Sequence, residues 1–211
     1  MTYAEWQKAF VSGDKSGLTN AENGGIIKLE TNKGTEKMIS PISEKQFAAG
    51  NRRSPFYELN KEEIEMIKSE IKAIGADPDD FVFNSTVTRG TCFLPSDGKI
   101  HIKGNIFPDE FSNHPRDNLT VRAVLAHEYY GHRPYRLQYL KEDNETDPKQ
   151  LERIFSNAWA DEFRASYMAA KNAPNLSHNE RAMLIRDALS RAEEAGVSIK
   201  YNNFIRRFLY G

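Results

Sequence analysis

His127 and His132 bracket a glutamate, two tyrosines and a glycine in the hexapeptide HEYYGH, residues 127 to 132. Two imidazoles close in the chain, with a carboxylate directly after the first, suit metal-assisted hydrolysis. The histidines hold an ion, and Glu128 accepts a proton from the water it activates. The common zinc-hydrolase signature sets its histidines four apart, about 40° out of line on a helix that turns about 100° per residue. In this chain the added residue turns the second imidazole about 140° away from the first. An undistorted helix therefore cannot bring both onto one ion. A π-type turn absorbs one extra residue, and such turns gather at functional sites. Gly131 relaxes the backbone where a distortion or a helix break is needed.

The run VRAVLA before His127 is the apolar lead-in of a buried helix. Both histidines then sit deep, where an unpaired imidazole or carboxylate is costly and a cation satisfies all of them. A catalytic metal usually takes three protein ligands plus water. The third candidate lies about thirty residues on, in ADEFRAS, where Asp161 and Glu162 compete for the role. Ala158, Ala160 and Ala165 let that helix approach the first closely. The bland alternatives are a pair of satisfied core histidines and an ordinary surface carboxylate at Glu162. Arg164, Tyr167 and Tyr130 read as structural, His178 as a cap-region surface residue and His114 as an exposed loop residue. His101 falls on a strand and can face either side. Cys92, in the apolar context TCFLP, reads as a small buried hydrophobe.

HEYYGH is similar to the H-E-x-x-G-H motif of dipeptidyl peptidase III and related zinc peptidases, whose second motif reads roughly E-E-C-R-A-E on a following helix. Residues Asp161 to Ser166 resemble that second motif position by position. The resemblance implies Zn2+ as cofactor, His127, His132 and Glu162 as its ligands, and Glu128 as catalytic base. Asp161 stands for the family's first glutamate. Ser166 stands for its last, which there supports a histidine ligand. The motifs lie closer together in this chain, and 211 residues are too few for that family's two lobes. What is implied is a zincin-like core of gluzincin type, a hydrolase of peptide bonds, without dipeptidyl specificity. In such cores the edge strand of a hairpin ahead of the metal helix binds substrate backbone, and residues 91–104 are the segment for that role. Such enzymes use a tyrosine or histidine to stabilise the oxyanion, and Tyr201 is one candidate.

The elements that must position these groups follow from pattern. Asn60 and Glu63 form a capping box before Ile64, Ile67, Ile71 and Ile74, and Gly75 stops that helix. The runs FVFNSTVT (81–88), TCFL (91–94) and KIHIKG (99–104) read as strands, with a hairpin turn at 95–98. A helix starting near Asn118 or Thr120 carries the histidines, and Pro134 ends or bends it. One helix after Pro148 sets Leu151, Ile154, Phe155 and Ala158 on a face that Ala165, Ala169 and Ala170 continue. Ser177 and Glu180 cap another helix that Gly196 stops, and the aromatic C-terminus packs back on the body. The class is α+β: a small twisted sheet with an edge hairpin, then a helical half carrying both metal motifs.

Residues 1–50 read as an N-terminal arm or linker and 51–211 as the peptidase domain. The opening MTYAEWQKAF resembles a segment of phage minor head proteins, so a non-catalytic, zinc-stabilised, phage-related structural or interaction module is the rival. A net charge of −1 implies neither nucleic acid nor anionic membrane as partner. The expected partner is a peptide or protein substrate. One cysteine excludes a disulfide framework and a multi-cysteine zinc site. No apolar run reaches membrane-spanning length and no classical signal peptide opens the chain, so the expected compartment is the cytoplasm.

Overall fold

The computed structural model describes residues 52–109 and 114–210. The arm expected over 1–50, with its phage-like opening, lies outside the described residues. Helix α1 (Lys61–Ala73) begins with the reciprocal cap: Asn60 Oδ1 accepts from Glu63 N at 2.9 Å, and Glu63 Oε2 accepts from Asn60 N at 3.0 Å. Two of the helix's orphan N–H groups are thereby satisfied. Ile67, Ile71 and Ile74 are fully buried, and Gly75, at φ +70, closes the helix.

Strands β1 (Phe81–Phe83), β2 (Cys92–Leu94) and β3 (Lys99–Ile102) form a sheet of order β1-β3-β2. β1 runs parallel to β3, and β2 antiparallel to it with Phe93 opposite Ile100. The hairpin turn falls where expected, with Gly98 at φ +77 donating its N–H to Leu94 O at 2.9 Å. β1 is much shorter than the eight-residue run. Asn84 adopts φ +50 and exchanges side-chain hydrogen bonds with both backbone groups of Leu59, which ends the strand.

The helical half starts at α2 (Val121–Ala126), capped by Thr120, whose Oγ1 accepts from Ala123 N at 3.1 Å. Residues 127–132 then form a π-helical turn. Pro134 does not end the helical path. It sits in the first turn of a 3-10 segment at 133–135, where its missing N–H costs nothing, and α3 (Arg136–Asp143) continues beyond. The expected single helix after Pro148 is two, α4 (Pro148–Ser156) and α5 (Ala158–Asn172). The break falls at Asn157, whose φ of −106 and ψ of 9 leave the helical region. α4 consequently buries none of its residues and Phe155 is 73% exposed, whereas Ala165, Ala169 and Ala170 of α5 are buried.

Helix α6 (His178–Glu194) has the Ser177–Glu180 box at its start and Gly196, at φ +69, just past its end. Glu180 Oε1 also accepts from Thr120 Oγ1 at 3.0 Å, so the starts of α2 and α6 are tied together. Helix α7 (Asn203–Tyr210) buries Ile205 and Phe208, returning the C-terminal aromatics to the body. Buried side chains from α1, the sheet, α2, α5, α6 and α7 join in one core. The described residues thus form a mixed α+β fold, mostly helical. Among them no helix is long and apolar enough to cross a membrane.

Candidate metal centre

The one-residue excess in HEYYGH is absorbed by the π-turn, and both histidines end on the same side of it. Their rings pack edge to face with centroids 4.8 Å apart. Gly131 serves a different purpose from the backbone freedom expected of it. A Cβ built there would lie 2.6 Å from Ala165 O and 2.7 Å from Ala165 Cα, against the backbone of α5. The glycine is a close-approach residue, and the approach is what brings α5 to the histidines.

Of the two acidic candidates on α5, Glu162 faces the histidines' outer nitrogens. His127 Nε2 and His132 Nε2 are 3.0 Å apart. Glu162 Oε2 is 3.5 Å from the first, and Oε1 is 3.7 Å from the second. Asp161 instead lies behind His132, with Oδ2 at 3.4 Å from Nδ1. His127, His132 and Glu162 are therefore a set that can hold a metal ion, their ligand atoms all within 4.8 Å of one another.

The surrounding hydrogen bonds assign the protons on both rings. Ser166 Oγ donates to Asp187 Oδ2, so it accepts from Nδ1–H of His127 at 2.8 Å. Tyr139 OH donates to Asp161 at 2.7 Å, so it accepts from Nδ1–H of His132 at 2.8 Å. With Nδ1 so engaged, each ring turns its Nε2 toward the other and toward the Glu162 carboxylate. Three potential ligand atoms converge, an arrangement that fits a cation. The local field agrees. Burial alone would push the His132 imidazole down, but Asp161, Glu128 and Glu162 together outweigh it and raise it to about 9. Burial alone would push the Glu162 carboxyl up, but Arg191 and the two imidazoles hold it well below the usual carboxylate range.

Glu128 is buried beside the histidines, and its Oε2 accepts the N–H of Phe93 in β2 at 2.8 Å. That bond means Phe93 points its backbone away from β3, so Thr91, Phe93 and Pro95 supply the outward edge of β2. Thr91 N is taken by Asn105 Oδ1 at 2.9 Å, and Pro95 has no N–H. The hairpin expected to bind substrate backbone is present, but its outward N–H groups are already engaged. A cleft of about 750 Å³ opens over the site, walled by Phe93, Val124, Tyr139, Trp159, Arg191 and Glu194 among others.

The remaining singled-out residues stand apart from the histidine pair. His101 is buried between Ser85 Oγ (2.7 Å) and Asp97 Oδ2 (2.8 Å), where it ties the hairpin turn to the loop after β1. His114 is half-buried rather than exposed, and bonds Glu194 and Arg116. His178 is exposed, with its ring 4.9 Å from Phe208. Tyr130 OH donates to Ile74 O at 2.7 Å, and Tyr167 stacks on Phe163. Tyr201 packs on the core and does not line the cleft. Cys92 does line it, and burial next to the Glu128 charge pushes its thiol up to about 12. Arg164, buried against the Tyr135 ring, bonds Asp161 and so braces the support of His132.

Tyr139, Asp187 and Arg191 belong to the site, and no motif in the sequence marks them. Ser166, which bonds His127, finds its carboxylate in Asp187 on another helix. No family model matches the chain, and neither a curated protein nor a solved structure matches it.

Proposed function

We propose that the chain is a zinc-dependent peptidase with a zincin-like core of gluzincin type, in which His127, His132 and Glu162 hold Zn2+ and Glu128 is the catalytic base. The observation that carries this reading is the convergence of the three donors beside Glu128 under an open cleft. The two Nε2 atoms are 3.0 Å apart, and Glu162 sets Oε2 at 3.5 Å from one and Oε1 at 3.7 Å from the other, near the spacing of about 3.3 Å between neighbouring corners of a zinc tetrahedron with bonds of about 2.0–2.1 Å. Two imidazoles and a carboxylate are also a set that catalytic zinc accepts while keeping a fourth position open.

When bound, zinc would polarise the scissile carbonyl and acidify the attacking water. The chain's own groups supply the rest. Phe93 N–H fixes one oxygen of Glu128, leaving Oε1 to take the water's proton and return it to the leaving amine. Ser166 and Tyr139 keep each histidine's proton on Nδ1, so both Nε2 atoms stay available as ligands. Phe93, Val124 and Trp159 contribute apolar surface to the cleft wall.

The test compares wild type with Glu128→Gln on a diverse peptide library, with zinc measured in both. Zinc retained and cleavage lost in the variant is the expected result. Cleavage that survives would remove Glu128 from the base role. The rival, a non-catalytic zinc-stabilised module related to phage structural proteins, draws on the blocked outer edge of β2. Zinc-loaded wild type that cleaves no peptide of the library would favour it.

A further inference from the structure

Helix α6 reaches the metal centre through two charged side chains one turn apart. Asp187 is completely buried, and Arg191 lines the cleft. Asp187 Oδ1 accepts from Arg191 Nε at 3.3 Å, and its Oδ2 accepts from Ser166 Oγ. Arg191 Nη2 lies 3.3 Å from Glu162 Oε2. The contacts form one continuous chain: His127 Nδ1, Ser166 Oγ, Asp187, Arg191, Glu162 Oε2. It begins at one candidate ligand and ends at another, and those ligands sit on different elements.

We infer that Asp187 and Arg191 are positioning residues for the metal centre, in which one i,i+4 pair on α6 selects the ring nitrogen of His127 that carries its proton and aims the carboxylate of Glu162. The inference rests on reading His127, His132 and Glu162 as zinc ligands. The first half follows from counting donors. Asp187 accepts on both oxygens, which obliges Ser166 to donate toward it and to accept from His127. An asparagine at 187 has one accepting atom and one NH2 group, yet it faces two donors. If the NH2 group meets Ser166, the hydroxyl must donate to His127 Nδ1, and the ring's proton moves to Nε2, the atom the ion needs. If it meets Arg191, two donors oppose each other and the guanidinium is pushed off Glu162. Either orientation damages a ligand. The second half follows from geometry. Arg191 Nη2 holds Glu162 Oε2 at 3.3 Å, which keeps Oε1 on the His132 side at 3.7 Å.

The test uses the full chain and Zn2+ alone as probe, with affinities from chelator competition. Melting of the metal-free proteins is recorded alongside. Asp187→Asn, Ser166→Ala, their double variant and Arg191→Gln are compared with wild type. Ser166→Ala removes only a hydroxyl and keeps the inference testable should the buried Asp187→Asn variant fold poorly. Loss of support for a ligand typically weakens metal binding about 10–100-fold, and each single variant should fall in that range. Because Ser166 and Asp187 act in one relay, the double variant should bind about as weakly as the weaker single variant, not by the product of the two losses. The Co2+-loaded single variants should show shifted visible absorption bands, which a loss confined to folding stability would leave in place. Wild-type-like zinc affinity in folded Asp187→Asn, Ser166→Ala or Arg191→Gln would overturn the inference while leaving the zinc reading intact. Multiplicative losses in the double variant would overturn the relay. A wild-type chain that binds no zinc would overturn both.

Discussion

Replacing Gly131 with alanine sets two local effects against each other. By helix propensity alone the change is favourable, by about 0.5–1 kcal/mol. Gly131 has no positive φ to protect, so strain gives no objection. The objection is steric. The new Cβ would meet Ala165 O at 2.6 Å, Cα at 2.7 Å and C at 2.8 Å. All three are backbone atoms of α5, and a helix backbone cannot swing aside as a long side chain can. Overpacking a well-filled site costs about 1–3 kcal/mol, and three backbone contacts under 3.0 Å argue for the upper end. Subtracting the propensity gain leaves a net loss of about 2 kcal/mol. For a chain of this length that lowers Tm by about 4–8 °C. The relief available is to move the π-turn and α5 apart, which separates His132 from Glu162. Zinc affinity should therefore fall with Tm, and the two should be read together by calorimetry of the metal-free protein and chelator competition. A Tm that rises, as propensity alone would have it, with zinc affinity unchanged, would refute the close-approach account of Gly131.

Tyr139→Phe removes the acceptor for His132 Nδ1–H and should weaken zinc about 10-fold or more by chelator competition, with little change in the metal-free melt. Glu180→Gln should lower Tm at neutral pH. Burial works against the Glu180 carboxylate, but its Ser177 and Thr120 hydrogen bonds and Arg122 prevail and depress its folded pKa. Its contribution is thus present above the unfolded value of about 4.3 and is lost as pH falls through the folded one, so the gap from wild type should close in acid melts. Cys92, with its thiol pushed up to about 12, should react with iodoacetamide at pH 8 far more slowly in the native protein than in urea, as followed by mass spectrometry.

A departure from the regular helix was legible from two facts, histidines five apart and a helix that advances about 100° per residue; a π-type turn and a helix break both satisfied them, and the structure has the π-turn. The two capping boxes were legible for the same kind of reason, since Asn60 with Glu63 and Ser177 with Glu180 are complete signals within four residues. Glu162 was separable from Asp161 only by resemblance until the structure set one on each side of His132. The supporting groups were not legible. Asp187 and Arg191 meet Ser166 and Glu162 through the packing of α5 on α6, and no local pattern announces a side chain that acts across two helices. Tyr139 was not legible because Pro134 is expected to end or bend the helix, which leaves the path beyond it open. The run RLQYLKED that follows is rich in strong helix formers and carries the tyrosine on α3, back beside His132. The break at Asn157 escaped because the apolar spacing runs on unbroken from Leu151 to Ala170, while the backbone turns between them.

The central claim is that His127, His132 and Glu162 hold one zinc ion. Elemental analysis of the purified chain, alongside His132→Ala and Glu162→Ala prepared identically, tests it most directly. The account predicts one zinc per wild-type chain, and in both variants a large loss of zinc with a lower Tm, because binding to the folded state is linked to stability. Wild type without zinc, or variants that retain it at full stoichiometry with an unchanged Tm, would contradict the account.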